Sequence, residues 1–512
     1  MLMGSAPSLP RLRVAALGVA VGVISGFAAS GRVDHAGPLG SPALRLITGL
    51  PALFYIFALL ASALLLLATR VWWTGIVTFV VWLPIEDMAR KFSGNDLRLY
   101  FLKYVLLIAA LVGLAPRLAG AWGAVGRARG LTFGVLCVAL AMSIPAALID
   151  PRLPLIGLTV RFLFILLFPV GVYLGRDGDR LRSTLIVLCA VCLPICALGV
   201  VQSVVGPKFL NPTIIDSSLS HLVVYRGAFD QSVLRPAGPF VDSGRFASLT
   251  TVGVVFGLSL VRLAKTKRQR TFGWLSTGLS AVAAFASGGR AALVVALAFV
   301  AFALFGERRR SLGRGTVVVI AIVVGVGAIG LSASASRAFG SRVEFFRTTL
   351  SPTGPGSELG GRVSGYFFGA GKGIAAGGLT GQGTGTQSIG RQYLGESAPA
   401  AKSESGWGTV ATEWGPLGLA VWVAWAVAWG RRAVRTSRRA RGTDAGPMLS
   451  TATMFIVYCL TFLFSLGAQF FDNYVTNGSF WLLSGIVFGS AAAAGSPQIA
   501  EYESRHESAH VV

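Results

Sequence analysis

The sequence predicts an all-α, polytopic membrane protein of about 12–14 spans, and three observations carry that expectation. Of 512 residues, 54% are hydrophobic and only 13% are charged, against about 25% charged in an ordinary soluble domain. Apolar runs close to the roughly twenty residues needed to cross a bilayer recur along the chain. Between them the Arg and Lys collect in short stretches, as they do in cytoplasmic loops. Together these exclude a soluble enzyme.

The formal net charge of +24 would suggest a nucleic-acid partner in a soluble chain. Here membrane orientation accounts for it, so the lipid bilayer is the expected partner and nucleic acid is not. Seven of the 45 basic residues are lysines and the rest arginines; guanidinium forks suit phosphate, although a GC-rich genome gives the same bias.

The elements follow in order. A first apolar run, Val14 to about Ala29, follows Arg11 and Arg13 and imitates a signal sequence; with so many spans after it, a retained signal anchor is expected. Candidate helices near 46–69, 71–85, 99–115, 131–149, 155–174 and 181–203 complete an N-terminal membrane region, 1–203. An extracytoplasmic loop is expected over 204–245, then central membrane helices over 246–333 with spans near 246–261, 272–287, 291–306 and 315–333. A long extracytoplasmic loop fills 334–406, and spans near 407–429, 449–468 and 474–494 form the C-terminal membrane helices, 407–494. The polar tail, 495–512, is expected to be disordered, with His506 and His510 solvated. The runs at 14–29 and 71–85 are short enough to be re-entrant or interfacial instead.

Four basic clusters set the orientation: Arg176/Arg180/Arg182, Arg262 to Arg270, Arg308/Arg309/Arg310/Arg314, and Arg431 to Arg441. Alternation places all four in the cytoplasm with both termini. Lys103 and Arg161 fall within spans. The outside basics concentrate in the two sizeable loops, seven in 334–406 and four in 204–245, which an extracytoplasmic anionic ligand would explain. All five cysteines lie in apolar runs, and Cys189, Cys192 and Cys196 share a helical face without another ligand type nearby, so packing is expected rather than a metal site.

Several stretches carry potential chemistry. Ser287-Gly288-Gly289-Arg290 opens an apolar helix, with Arg290 at its outer mouth, where positive charge is disfavoured and two glycines let a ligand approach the backbone; a snorkelling flank residue is the alternative. The turn-rich stretch Arg235 to Phe246 holds Arg235, Asp242 and Arg245, and its two arginines could clamp a diphosphate or sit near lipid headgroups. In the long loop, Gly360-Gly361-Arg362 precedes a weakly amphipathic stretch and then Gly381-Gln382-Gly383-Thr384-Gly385. No strand precedes that glycine string, so a nucleotide loop is rejected. Glu413 lies at or inside the membrane boundary, either as a functional carboxylate or paired with an arginine.

Taken in order, these motifs resemble the O-antigen ligase and O-antigen polymerase (Wzy-like) family of bacterial inner-membrane glycosyltransferases. The Gly-Arg helix at 288–305 is similar to the family's Ser-Arg-Gly helix, and Arg235–Phe246 to its Arg-Gly-aromatic segment. Arg362–Gly385 resembles its long-loop signature, and Glu413–Leu419 its Glu-x-Gly-x-x-Gly helix start. Leu83 to Phe92, with Arg90, resembles the proline-acid-arginine loop of relatives that assemble exopolysaccharides. Ligases of the family usually carry a histidine near the end of the long loop; here that stretch reads Lys402 to Trp407, and the four histidines lie elsewhere. This departure and the Pro84–Phe92 stretch favour a polymerase over a ligase acting on a lipid or protein acceptor.

The resemblance implies a GT-C-like fold, a polyprenyl-diphosphate-linked glycan as donor, and an active site on the extracytoplasmic side of the bacterial cytoplasmic membrane. It also implies a flippase and a chain-length regulator as assembly partners. Arg290 and Arg235, then Arg245 and Arg362, would stabilise the departing diphosphate. Glu404 would take the acceptor proton as general base. No cofactor and no metal are expected, since the loops hold no Asp-x-Asp. A lipid or glycan transporter, the alternative of another class, would be expected to show internal pseudo-symmetry, which the sequence lacks.

Overall fold

The computed structural model describes residues 72–92, 97–115, 118–126, 128–207, 209–211, 224–228, 231–306, 340–346, 358–388, 405–440, 443–464 and 469–494. The expected spans at 14–29, 46–69 and 315–333, both termini, and Glu404 lie outside them. Within them the protein is a multi-span helical membrane bundle, with six helical stretches long and apolar enough to cross a bilayer.

The helices are α1 (Trp72–Phe92), α2 (Leu97–Val112), α3 (Leu118–Gly123), α4 (Ala128–Ala141), α5 (Ser143–Ile149), α6 (Arg152–Phe162), α7 (Leu167–Arg176) and α8 (Gly178–Val205). A hairpin, β1 (Val224–Ala228) and β2 (Gln231–Arg235), leads to α9 (Ser243–Leu263), α10 (Lys267–Ala286) and α11 (Arg290–Gly306). Then come α12 (340–346), α13 (Glu358–Gly377), α14 (Gly406–Arg439), α15 (Gly446–Tyr458), α16 (Gln469–Asp472) and α17 (Tyr474–Ala494).

Polar side chains set the helix starts. Asp177 accepts from the backbone N–H of Asp179 and Arg180 ahead of α8, Thr266 and Gln269 form a capping box on α10, and Asp242 accepts from Gly244 at α9, each satisfying N–H groups that the helix leaves open. Inside, small residues allow close approach, as membrane helices require where no hydrophobic drive brings them together. Gly171 and Gly175 on α7 face Gly485 and Ser490 on α17, while Gly253 and Gly257 on α9 face Ser280 and Thr277 on α10. Cys192 and Cys196 pack in this second seam, Cys196 Sγ lying 3.6 Å from Ser280 Oγ. Trp422, Trp425 and Trp429 line one face of α14, and two of their indoles donate hydrogen bonds, Trp425 to Thr132 and Trp429 to Ser484, as buried indoles require.

Three expectations need correction. The stretch Pro84 to Phe92, read as a loop, is the last turns of α1. Proline removes one N–H there, and the charged residues behind it find partners on other helices instead of solvent. The 204–245 loop contains the β1–β2 hairpin, with Val224 opposite Arg235. The 334–406 segment is not a plain loop, since α12 and α13 lie in it.

Helix α13 packs along the start of α14: Gly369 faces Ser405, and Gly373 faces Gly408 and Ala411. The glycine string after it becomes a turn wedged between α5, α6 and α14. There Thr384 N donates to Met142 O and Gly383 N to Glu413 O. Gly383 has φ of +104°, and a Cβ on it would stand 2.7 Å from that of Ala146. Gly383→Ala is therefore expected to cost about 2–4 kcal/mol, strain plus overpacking. Gly378→Ala meets open space at φ +68°, so only the left-handed penalty of about 1 kcal/mol remains. Unfolding midpoints in detergent check the order; equal midpoints would contradict it.

Of the four basic clusters, Arg308 to Arg314 lies outside the described residues, and the described members of the other three gather at one end of the bundle. Asp179 bonds Lys265 at 3.0 Å, Arg182 Nε donates to Leu263 O, Arg262 to Pro447 O and Arg432 to Ala124 O. At the opposite end lie the close of α8, the hairpin, and the junctions α8–α9 and α10–α11.

Candidate functional site

At that opposite end two groups of buried and half-buried ionisable side chains are joined by one strap of backbone. The strap runs from Pro236 to Val241 and is buried throughout. Both polar groups of Gly238 are held: its N–H donates to Gln202 Oε1 at 2.7 Å and its carbonyl accepts from Lys91 Nζ at 2.5 Å. Gly238 is left-handed, and a Cβ there would lie 3.2 Å from the Phe246 ring. A turn rich in proline and glycine, read as surface loop, is thus fixed into the bundle.

At one end of the strap stands Arg235. The Gly288 turn is left-handed, and a Cβ placed on Gly288 would lie 3.4 Å from Arg235 Cγ. Two motifs more than fifty residues apart in sequence therefore meet. Ser287 Oγ accepts from Gly289 N at 3.1 Å, steadying the turn from which α11 begins with the half-buried Arg290. The Arg290 guanidinium lies 5.9 Å from the centre of the Phe345 ring.

Arg342 on α12, which the sequence did not single out, braces this group. Buried at 2% exposure, it donates to Ala286 O at 3.1 Å, Leu234 O at 2.9 Å and Ser203 O at 3.4 Å, binding the ends of α10, β2 and α8 together. Burial pushes its guanidinium down to about 10, so it stays charged at neutral pH. Phe345 and Phe346 beside it pack with Val233. The only sequence signal for Arg342 was an arginine in a glycine-rich segment.

At the other end of the strap, Arg245 reaches into a second group. Its Nη1 lies 2.7 and 2.8 Å from the two Asp87 oxygens; Arg90 Nη1 is 3.2 Å from Asp87, and the Tyr474 hydroxyl donates to it at 3.1 Å. Lys103 Nζ pairs with Glu86 at 2.9 Å and stands 3.2 Å above the Tyr100 ring centre, a cation–π arrangement. The group holds Arg90, Lys91, Lys103 and Arg245 against Glu86 and Asp87, all nearly or wholly buried. Burying so many ionisable side chains together is costly unless each is paired and hydrogen-bonded.

Arg235 and Arg245, expected as two jaws of a clamp, thus stand in different settings: Arg235 beside Arg290's turn and Arg245 on Asp87. Asp242 caps α9. Arg362 lies on α13. Glu413 is apart from both groups, fully buried and paired with Arg161, which also bonds Asp472 at 3.0 Å. The second Glu413 oxygen accepts from Gln387 N at 2.7 Å, so this carboxylate ties α6 and the glycine turn to α14. Among the described residues, no three His, Cys, Asp or Glu side chains converge as metal ligands would.

No family model and no curated protein matches the chain.

Proposed function

We propose that the protein is a membrane glycosyltransferase that polymerises polyprenyl-diphosphate-linked glycan on the outer face of the cytoplasmic membrane. The observation that carries this reading is the meeting of Arg235 with the Gly288–Arg290 turn, at the end of the bundle opposite the basic clusters. By the positive-inside tendency that end faces outward.

The chemistry asked of such a site is simple. An acceptor hydroxyl oxygen forms a bond to the anomeric carbon of the donor as the bond from that carbon to the diphosphate oxygen breaks, with inversion. The electron pair leaves on the diphosphate, and the hydroxyl proton passes to a base, for which Glu404 is the proposal. Arg235 and Arg290, held beside a partly dry surface, stabilise the charge growing on the leaving group more than that of the bound donor. Bidentate guanidinium bonds match diphosphate oxygens.

The test is incubation of purified, reconstituted protein with a polyprenyl-diphosphate-linked oligosaccharide repeat and no other acceptor. A ladder of glycan sizes with released lipid diphosphate, persisting in chelator, is the expected result. An intact repeat would overturn the polymerase reading and direct the next trial to a separate lipid or protein acceptor, as a ligase needs, or to glycan transport.

A further inference from the structure

We infer that Arg342 is a positioning residue for the transfer reaction: it holds Arg235 and the Gly288–Arg290 turn against one another from behind, without meeting the donor itself. The role rests on the reaction proposed above; the bridge between the two motifs does not. The carbonyls that Arg342 grips are what set it apart. Leu234 O, at 2.9 Å, belongs to the residue before Arg235, and Ala286 O, at 3.1 Å, ends α10 just before the Gly288 turn. One buried guanidinium therefore joins the backbones of both motifs at their roots. Its bond to Ser203 O at 3.4 Å ties them to the end of α8 as well.

An arginine suits this place for two reasons. Ser203 and Ala286 lie in the last turns of their helices, where carbonyls lack an intrahelical partner and a cation is favoured. Three carbonyls from three elements also need more than one nitrogen: Nε serves Ala286, while Nη2 serves Leu234 and Ser203. A lysine offers a single nitrogen in their stead.

The rest of α12 reaches the same two motifs. The Phe346 ring lies 5.4 Å from that of Phe285 at the end of α10, the Phe345 ring 5.9 Å from the Arg290 guanidinium, and both phenylalanines pack with Val233 of β2. A Cβ on Gly288 would in turn stand 3.8 Å from Val233 Cγ1. Strand and turn are thus held from one side by one short helix. Such a brace matters to the chemistry because both forks must be aimed at the leaving group together, and a displacement of about 1 Å can cost about 100-fold in rate.

The experiment has two readouts, both on full-length protein. The first needs no glycan: Arg235→Cys with Gly288→Cys is oxidised and the crosslink followed by mass spectrometry. A Cβ on Gly288 lies 3.4 Å from Arg235 Cγ, within the span that a disulfide bridges. Adding Arg342→Gln is expected to slow the crosslink at least about tenfold, the worth of one charge-assisted hydrogen bond. In the second, with Arg235 and Gly288 in place, Arg342→Gln should lower kcat on the lipid-linked repeat about 100-fold per folded molecule. KM should change less than about threefold, since the misplaced forks act on the departing charge more than on the bound donor. Arg342→Lys should fall between Arg342→Gln and the wild type in both readouts. A merely structural role would lower the folded fraction and leave kcat per folded molecule unchanged. An unchanged crosslinking rate in Arg342→Gln, or in Arg342→Lys if the first variant does not accumulate, would overturn the inference, and so would a slowed crosslink with full kcat. A wild type that crosslinks readily but transfers no glycan removes the reaction and the role with it, while leaving the bridge.

Discussion

Asp87→Ala is expected to lower the stability of the protein by about 3–5 kcal/mol, the cost of breaking a buried ion pair from one side. Asp87 accepts from Arg245, Arg90 and Tyr474 at 2.7–3.2 Å and has no exposed surface. Without it, the Arg245 and Arg90 guanidinium groups and the Tyr474 hydroxyl all lose the carboxylate they contact, in a group that is almost closed to water. Asp87→Asn keeps the shape but loses the charge and should fall almost as far. Pairing it with Arg245→Met should recover much of the loss, since removing both charges avoids the uncompensated one. Unfolding midpoints of the detergent-purified variants check the series. An unchanged midpoint in Asp87→Ala would mean that other groups neutralise Arg245 and Arg90.

The same residues show where sequence reading reaches its limit. Hydropathy located most of the apolar helices of the described region to within a few residues, because twenty apolar residues in a row have few alternatives, while α1 and α14 run on past the expected ends at 85 and 429 to Phe92 and Arg439. It also marked the positions of Lys103 and Arg161 as basic residues within spans. Their partners were not legible: Glu86 is close in sequence but was placed in a loop, while Glu413 and Asp472 lie on distant helices. A proline followed by four charged residues within eight positions reads locally as a turn in water. Only the three-dimensional pairing with α2, α9 and α17 makes it a helix end. The seam of Gly171 and Gly175 against Gly485 was not anticipated, since small residues four apart do not name the helix they will meet. For the candidate site, Arg235 and the Gly288–Arg290 turn were each legible through glycine and arginine chemistry. Their adjacency depends on the strap, whose anchors Lys91 and Gln202 look in sequence like any other polar residues near a helix end.

Arg290→Ala is expected to reduce glycan transfer by about 100- to 1,000-fold, the usual loss when one preorganised donor to a developing negative charge is removed, with little change in folded protein. The two halves of that expectation have separate physical grounds. Arg290 is half-buried at the first position of α11 and stands beside an aromatic ring, so its truncation removes a partly exposed cation, whereas Asp87→Ala removes a charge with no exposed surface. In the proposed reaction its fork meets a diphosphate lying over Gly288 and Gly289, which carry no side chains of their own. Arg290→Lys restores the charge without the paired, planar donors and should recover only a small part of the rate. Arg245→Ala supplies the contrast: with its guanidinium committed to Asp87, its loss should appear first as a lower unfolding midpoint. Rates per folded molecule, measured on the lipid-linked repeat for all three variants, separate a residue that meets the leaving group from one that holds the fold. Full transfer by Arg290→Ala would remove this arginine from the reaction and leave Arg235 to answer for the Gly288 turn alone.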